Sequence, residues 1–146
     1  YKLGFDIDLT KDHSFPAAKN FSLNTEAISL TNRRIIGIAP FARYLTKTYP
    51  LDLMQKVVGF LDQKYTVFLF GFGKFEMDII EKWSKVFKNV YSSSSLGGFE
   101  NEIALISNLD LMISMDSANG HIASIYNVLG HYFMGVNTPI HRLHNL

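Results

Sequence analysis

The chain has 146 residues, 47% of them hydrophobic, which suits one domain with a sizeable core. Its 14 basic and 13 acidic residues are spread along the chain for a net charge of +1, so no block of charge steers it to nucleic acid. Cysteine is absent, which excludes disulfides and thiolate metal sites and fits a cytoplasmic protein.

Residues 1–34 are mixed and polar: Asp6, Asp8, Lys11, Asp12 and Pro16 break any period, and only 24–31 looks helical. The segment reads as a connector with one short helix. The chain begins at Tyr1 without a signal-peptide pattern, which predicts an excised piece of a longer protein. From residue 35 the pattern becomes regular. Apolar runs predict strands over 35–39, 66–70, 90–91, 110–114 and 132–134, the last weakened by Gly130 and His131. Between them, apolar spacing predicts helices over 50–63, 75–87, 100–107 and 121–127. Such alternation predicts a parallel, doubly wound, Rossmann-like α/β sheet over 35–146. No apolar stretch approaches the roughly 18 residues needed to span a membrane, so membrane contact would be peripheral.

The most informative segment is L-D-L-M-I-S-M-D-S-A-N-G-H at 109–121. An apolar strand ends in Asp116, Ser117, Ala118, Asn119 and Gly120, and a helical pattern starts near His121. Such a turn at the carboxyl end of a parallel strand is where open α/β sheets bind ligands. Its backbone N–H groups and the helix dipole favour an anion such as a diphosphate, with Ser117 and His121 able to add hydrogen bonds. The plainer reading is that Asp116 or Ser117 only caps the helix. Arg43 and Lys47 lie in the loop after the first strand, at the same sheet edge, so two cations would face that anion site.

Other segments read both ways. Gly71-Phe72-Gly73-Lys74 matches neither a Walker loop nor the G-x-G-x-x-G fingerprint, and is either a tight turn or a backbone approach to a ribose or base. Leu96-Gly97-Gly98 ends a loop or lets a nucleobase lie on the main chain. Phe41, Phe72 and Phe99 sit at strand-to-helix edges, where a ring either plugs the sheet end or stacks on a base. His13, His131, His141 and His144 lack metal-ligand spacing, and no G-x-S-x-G elbow is present, so neither a metal nor a cofactor is expected.

Taken in order, I-G-I-A-P-F-A-R-x-x-T-K-x-Y-P at 36–50, V-F-L-F-G at 67–71 and M-D-S-A-N-G-H-I-A at 115–123 resemble the heptosyltransferase family. The likeness runs over about 35–139. It implies the donor-binding half of a GT-B glycosyltransferase, which moves heptose from ADP-heptose to a lipopolysaccharide core. By that resemblance Lys47 and Arg43 meet the donor phosphates, and Asp116, Ser117, Ala118 and His121 hold the diphosphate and the neighbouring sugar. Leu96 and Gly97 approach adenine, and the stretch from Gly71 through Phe72 and Gly73 to Glu76 lies near the ribose. The general base and the glycolipid acceptor site would belong to an amino-terminal domain outside this chain. The fragment alone is therefore expected to fold and bind donor without catalysing transfer, at or near the inner face of a bacterial inner membrane.

The sequence also departs from the family pattern. Ala118 stands where the family has glycine, so a positive φ there would strain the turn. The strand and ending after Asn127 differ as well. A GT-B enzyme acting on a UDP-sugar and a nucleotide-binding module without chemistry are the alternatives these departures leave.

Overall fold

The computed structural model describes residues 14–20, 33–44 and 47–132. Among them, five parallel strands form one sheet: β1 (Ile35–Ala39), β2 (Thr66–Leu69), β3 (Val90–Ser92), β4 (Leu111–Ser114) and β5 (Gly130–Tyr132). Their order is β3-β2-β1-β4-β5. Four α-helices, α1 (Leu51–Asp62), α2 (Gly73–Val86), α3 (Phe99–Ser107) and α4 (Ala118–Ile125), make the crossovers, and a 3-10 turn at Ser93–Leu96 follows β3.

Strand side chains alternate between two apolar layers, as a sheet covered on both faces requires. Ile36, Ile38, Val67, Leu69 and Ile113 pack with Met54, Val58, Ile80 and Trp83 of α1 and α2. Phe68, Phe70 and Met112 point the other way, onto Leu105 and Ile106 of α3 and Ala123 of α4. Helices on both faces of a parallel sheet make the predicted doubly wound, Rossmann-like fold. Fully buried side chains such as Met54 and Phe68 contribute about 1.5–3 kcal/mol each by leaving water.

The chain runs outward from β1 through β2 to β3, then returns to lay β4 on the other side of β1. The β1–β4 pairing extends from Ile36↔Leu111 to Ala39↔Ser114, and Met115 N–H continues it by donating to Ala39 O at 3.1 Å. The connections leaving β1 and β4 diverge to opposite faces, which opens a crevice at their carboxyl ends.

The element boundaries differ from the sequence expectation where capping, rather than apolar spacing, decides. Helix α2 starts at Gly73, not at 75, because Gly73 takes φ +78° and Glu76 Oε2 accepts the Phe72 N–H at 2.7 Å. That bond satisfies a donor which the start of a helix leaves without an intrahelical partner. Helix α4 starts at Ala118, not at 121, since Ser117 is its N-cap. Strand β5 covers 130–132, ahead of the predicted 132–134, which overlaps it at Tyr132 and otherwise lies outside the described residues. The helix expected at 24–31 also lies outside them. Residues 14–20 meet the end of α3: Lys19 N–H donates to Ser107 Oγ at 2.9 Å, and Asn108 Nδ2 donates to Lys19 O at 2.8 Å. Among the described residues no helix is long and apolar enough to cross a membrane.

Gly37, in the middle of β1, is packed closely by side chains of the second layer. A Cβ there would lie 2.5 Å from Leu109 Cδ1, 2.9 Å from Met112 Sδ and 3.0 Å from Phe70 Cε2. We expect Gly37→Ala to destabilise the fold by about 1–3 kcal/mol through overpacking, read as a lowered midpoint in chemical denaturation. An unchanged midpoint would show that this layer is loosely packed.

Candidate functional site

The turn after β4 is built by a chain of hydroxyls. Ser114 Oγ donates its single proton to Met115 O at 2.5 Å and also lies 2.7 Å from Ser117 Oγ. Ser117 must therefore donate to Ser114, which leaves its lone pairs to accept the Gly120 N–H at 3.4 Å. Ser117 thus spends its hydroxyl on holding the turn and capping α4. The anion-binding capacity that remains is the first backbone N–H groups of α4, at Ala118 and Asn119, which have no acceptor within their own helix. Gly120 is buried behind them, and Asn127, at φ 57°, is the non-glycine residue with positive φ among the described residues. Ala118 is therefore not left-handed, and the strain expected of alanine in this turn does not arise.

Asp116 projects from the same turn toward the loop after β1. Its Oδ2 lies 2.9 Å from Lys47 Nζ and its Oδ1 lies 3.8 Å from His121 Nε2, so one carboxylate sits between a lysine of the β1 loop and a histidine of α4. Lys47 and Asp116 keep 54% and 52% of their side-chain surface exposed, and a pair so wetted contributes little to stability. It does place charge. The hydrogen bond from Lys47, and then its charge, hold the Asp116 carboxyl below its ordinary range, while the same bond and charge raise the Lys47 ammonium above its own. Arg43, exposed in the same loop, carries its guanidinium 5.8 Å from the Tyr44 ring centroid. Among the described residues no group of three or more His, Asp or Glu side chains is placed to hold a metal ion.

These two loops and the turn after β2 close around one cavity of about 950 Å³ at the carboxyl edge of the sheet. Arg43 lines it from the β1 loop, Asp116, Ser117, Ala118, Asn119 and His121 line it from the β4 turn, and Gly71, Phe72, Gly73 and Glu76 line it from the β2 turn. Lys47 reaches it through Asp116 rather than as a wall. Leu96 and Gly97 are not among its lining residues, and their carbonyls accept from Asn101 Nδ2 at 2.8 and 3.1 Å. Phe41 is buried and plugs the sheet end, whereas Phe72 is 92% and Phe99 63% exposed.

The cavity also gathers residues that the sequence reading passed over, among them Met77, Ser94 and Glu102. Glu102 stands out, because its Oε1 accepts from Ser93 Oγ at 2.7 Å and Ser93 is fully buried. The available signal was positional: the serine run at 92–95 follows a strand at its carboxyl end, and Glu102 lies three residues after Phe99, on the same face of a helix.

Solved structures share this fold. E. coli heptosyltransferase WaaC with ADP-2-deoxy-2-fluoro heptose superposes with a TM-score of 0.64 at 14% identity, over 77% of this chain and 36% of that one. E. coli ADP-heptose lps heptosyltransferase II gives 0.56 at 20% identity, over 71% of this chain and 34% of that one. A glycosyl transferase family 9 structure from Veillonella parvula gives 0.56 at 18% identity, over 68% and 29%. The chain therefore spans about a third of the length of the solved structures it matches. No curated protein sequence gives a significant match. The sequence profile of glycosyltransferase family 9 (heptosyltransferase) matches residues 3–127, most of the chain, and this protein belongs to that family.

Proposed function

We propose that residues 35–146 are the donor-binding half of a GT-B glycosyltransferase that takes heptose from ADP-heptose to a lipopolysaccharide core or related surface glycan. One observation carries this reading: the carboxyl ends of β1 and β4 meet at the point where the sheet order reverses, and there Lys47, Arg43 and the amino end of α4 converge on one cavity. A diphosphate is the ligand that such an edge suits best, because backbone N–H groups, a helix dipole and mobile cations all act on the same charge. Support for the donor comes from relatives in the same fold, E. coli WaaC having been solved with ADP and with an ADP-heptose analogue.

The chemistry is an inverting displacement. An acceptor hydroxyl attacks the anomeric carbon while the nucleoside diphosphate leaves. Negative charge grows on the bridging and terminal phosphate oxygens as the bond breaks, and Lys47, Arg43 and the α4 N–H groups lie close enough to meet it. Asp116 keeps Lys47 at the lip of the cavity. The general base and the acceptor site belong to the amino-terminal part of the protein, whose glycolipid substrate brings the enzyme to the inner face of the bacterial membrane. On this reading residues 35–146 bind donor and do not transfer sugar alone.

Titration calorimetry of the full-length protein with ADP tests the reading. Lys47→Ala should weaken ADP by about tenfold, the effect of a charge-assisted contact, with the melting temperature unchanged. Equal affinity in the variant would remove Lys47 from the site and leave a nucleotide-binding module without this chemistry.

The ion pair has a signature in pH. Asp116 is held below the ordinary carboxylate range, so the pair is complete above about pH 4 and is lost as pH falls through the lowered value. The Asp116 carboxyl carbon, followed by NMR, should titrate below the ordinary aspartate range and return toward it in Lys47→Ala. A midpoint that does not move in the variant would mean that the two side chains are not paired in solution.

A further inference from the structure

We infer that Glu102 selects the base of the nucleotide, accepting a hydrogen bond from an exocyclic amino group, so that the site takes adenine, cytosine or guanine in preference to uracil. The inference rests on the donor-site reading above and concerns the opposite end of the same cavity. Arg43, the Asp116 turn and the amino end of α4 gather at the carboxyl ends of β1 and β4, whereas Ser94, Phe99 and Glu102 belong to the segment that follows β3. Three inter-strand spacings, about 14 Å, separate the ends of β3 and β4. With its phosphates at the cationic end, a nucleotide lying along this edge points its base at Glu102.

Two features fit Glu102 for reading a base. Its Oε1 is fixed by the hydroxyl of Ser93, a residue with no exposed surface, so the carboxylate plane is oriented before any ligand arrives. Its Oε2 takes no hydrogen bond from the described residues. A carboxylate only accepts, so it pairs with the exocyclic amino group of adenine, cytosine or guanine, whereas uracil offers only its N3–H, flanked by two carbonyl oxygens that the carboxylate repels. Aromatic rings supply the complementary face. Phe99, one helical turn before Glu102, is 63% exposed, and Phe72, across the cavity mouth, is 92% exposed, which makes both available to stack on a base. The main-chain acceptors nearest in sequence, the carbonyls of Leu96 and Gly97, are engaged by Asn101 and lie off the cavity.

The test is calorimetric titration of the full-length protein with ADP, CDP, GDP, UDP and inorganic diphosphate. The wild type should bind at least one amino-bearing nucleotide about tenfold or more tighter than UDP. Glu102→Gln, which keeps an acceptor for Ser93, should cut that ratio about fivefold or more while inorganic diphosphate binds as before. Ser93→Ala, which unfixes the carboxylate without removing it, should lower the ratio in the same direction. An unchanged ratio in Glu102→Gln, or a wild type that prefers UDP, would overturn the inference and leave the donor site standing. Failure of the folded wild type to bind any of the five would overturn the donor-site reading and this inference with it.

Discussion

The parallel pairing of β1 with β4 is the constraint on which the rest of the molecule depends. Four register positions, from Ile36↔Leu111 to Ala39↔Ser114, bring together segments about 75 residues apart in sequence. Because the chain reaches β4 only after leaving the sheet at β3, the loops after β1 and β4 exit toward opposite faces and cannot fill the space between them. The crevice is thus a consequence of strand order. Side chains then decide what it holds.

What they supply is a charge arrangement fixed from behind. Ser114 and Ser117 consume each other's hydrogen-bonding capacity, which locks the β4 turn and leaves the N–H groups of α4 pointing outward. Asp116, on that locked turn, reaches the β1 loop and holds Lys47. A lone lysine on a loop would sample many positions in water; paired with a carboxylate on the turn after β4, it is held at the edge where the proposed donor phosphates would lie. The chain belongs to glycosyltransferase family 9, and a site for a leaving diphosphate at this edge is what the donor reading proposed above requires.

Much of this was legible from the sequence, and the illegible part has a physical cause. Strands were readable because Ile36, Ile38, Val67, Leu69 and Ile113 are buried by helices, and a strand covered on both faces leaves an unbroken apolar run. The Asp116–His121 turn and Arg43 were readable because a polar cluster directly after such a run lies at the sheet edge by necessity. The helix starts were not, since Gly73 and Ser117 begin their helices through a backbone angle and a cap that apolar spacing does not register. Ser117 shows the limit at one residue: cap and phosphate ligand were both open, and only the proton count around Ser114 assigns its hydroxyl to the turn. Glu102 left only a positional signal, because whether a helical carboxylate faces solvent or a cavity depends on how α3 packs against its neighbours.

The central claim is that a nucleoside diphosphate lies across the β1–β4 edge, and the most direct measurement is mapping of backbone amide shifts while the full-length protein is titrated with ADP. The largest shifts are expected in three places: Arg43 and Lys47, residues 71–76, and residues 116–121, with Ala118 and Asn119 moving most. Shifts confined to the opposite, amino-terminal edge of the sheet, or to the 14–20 segment, would contradict it.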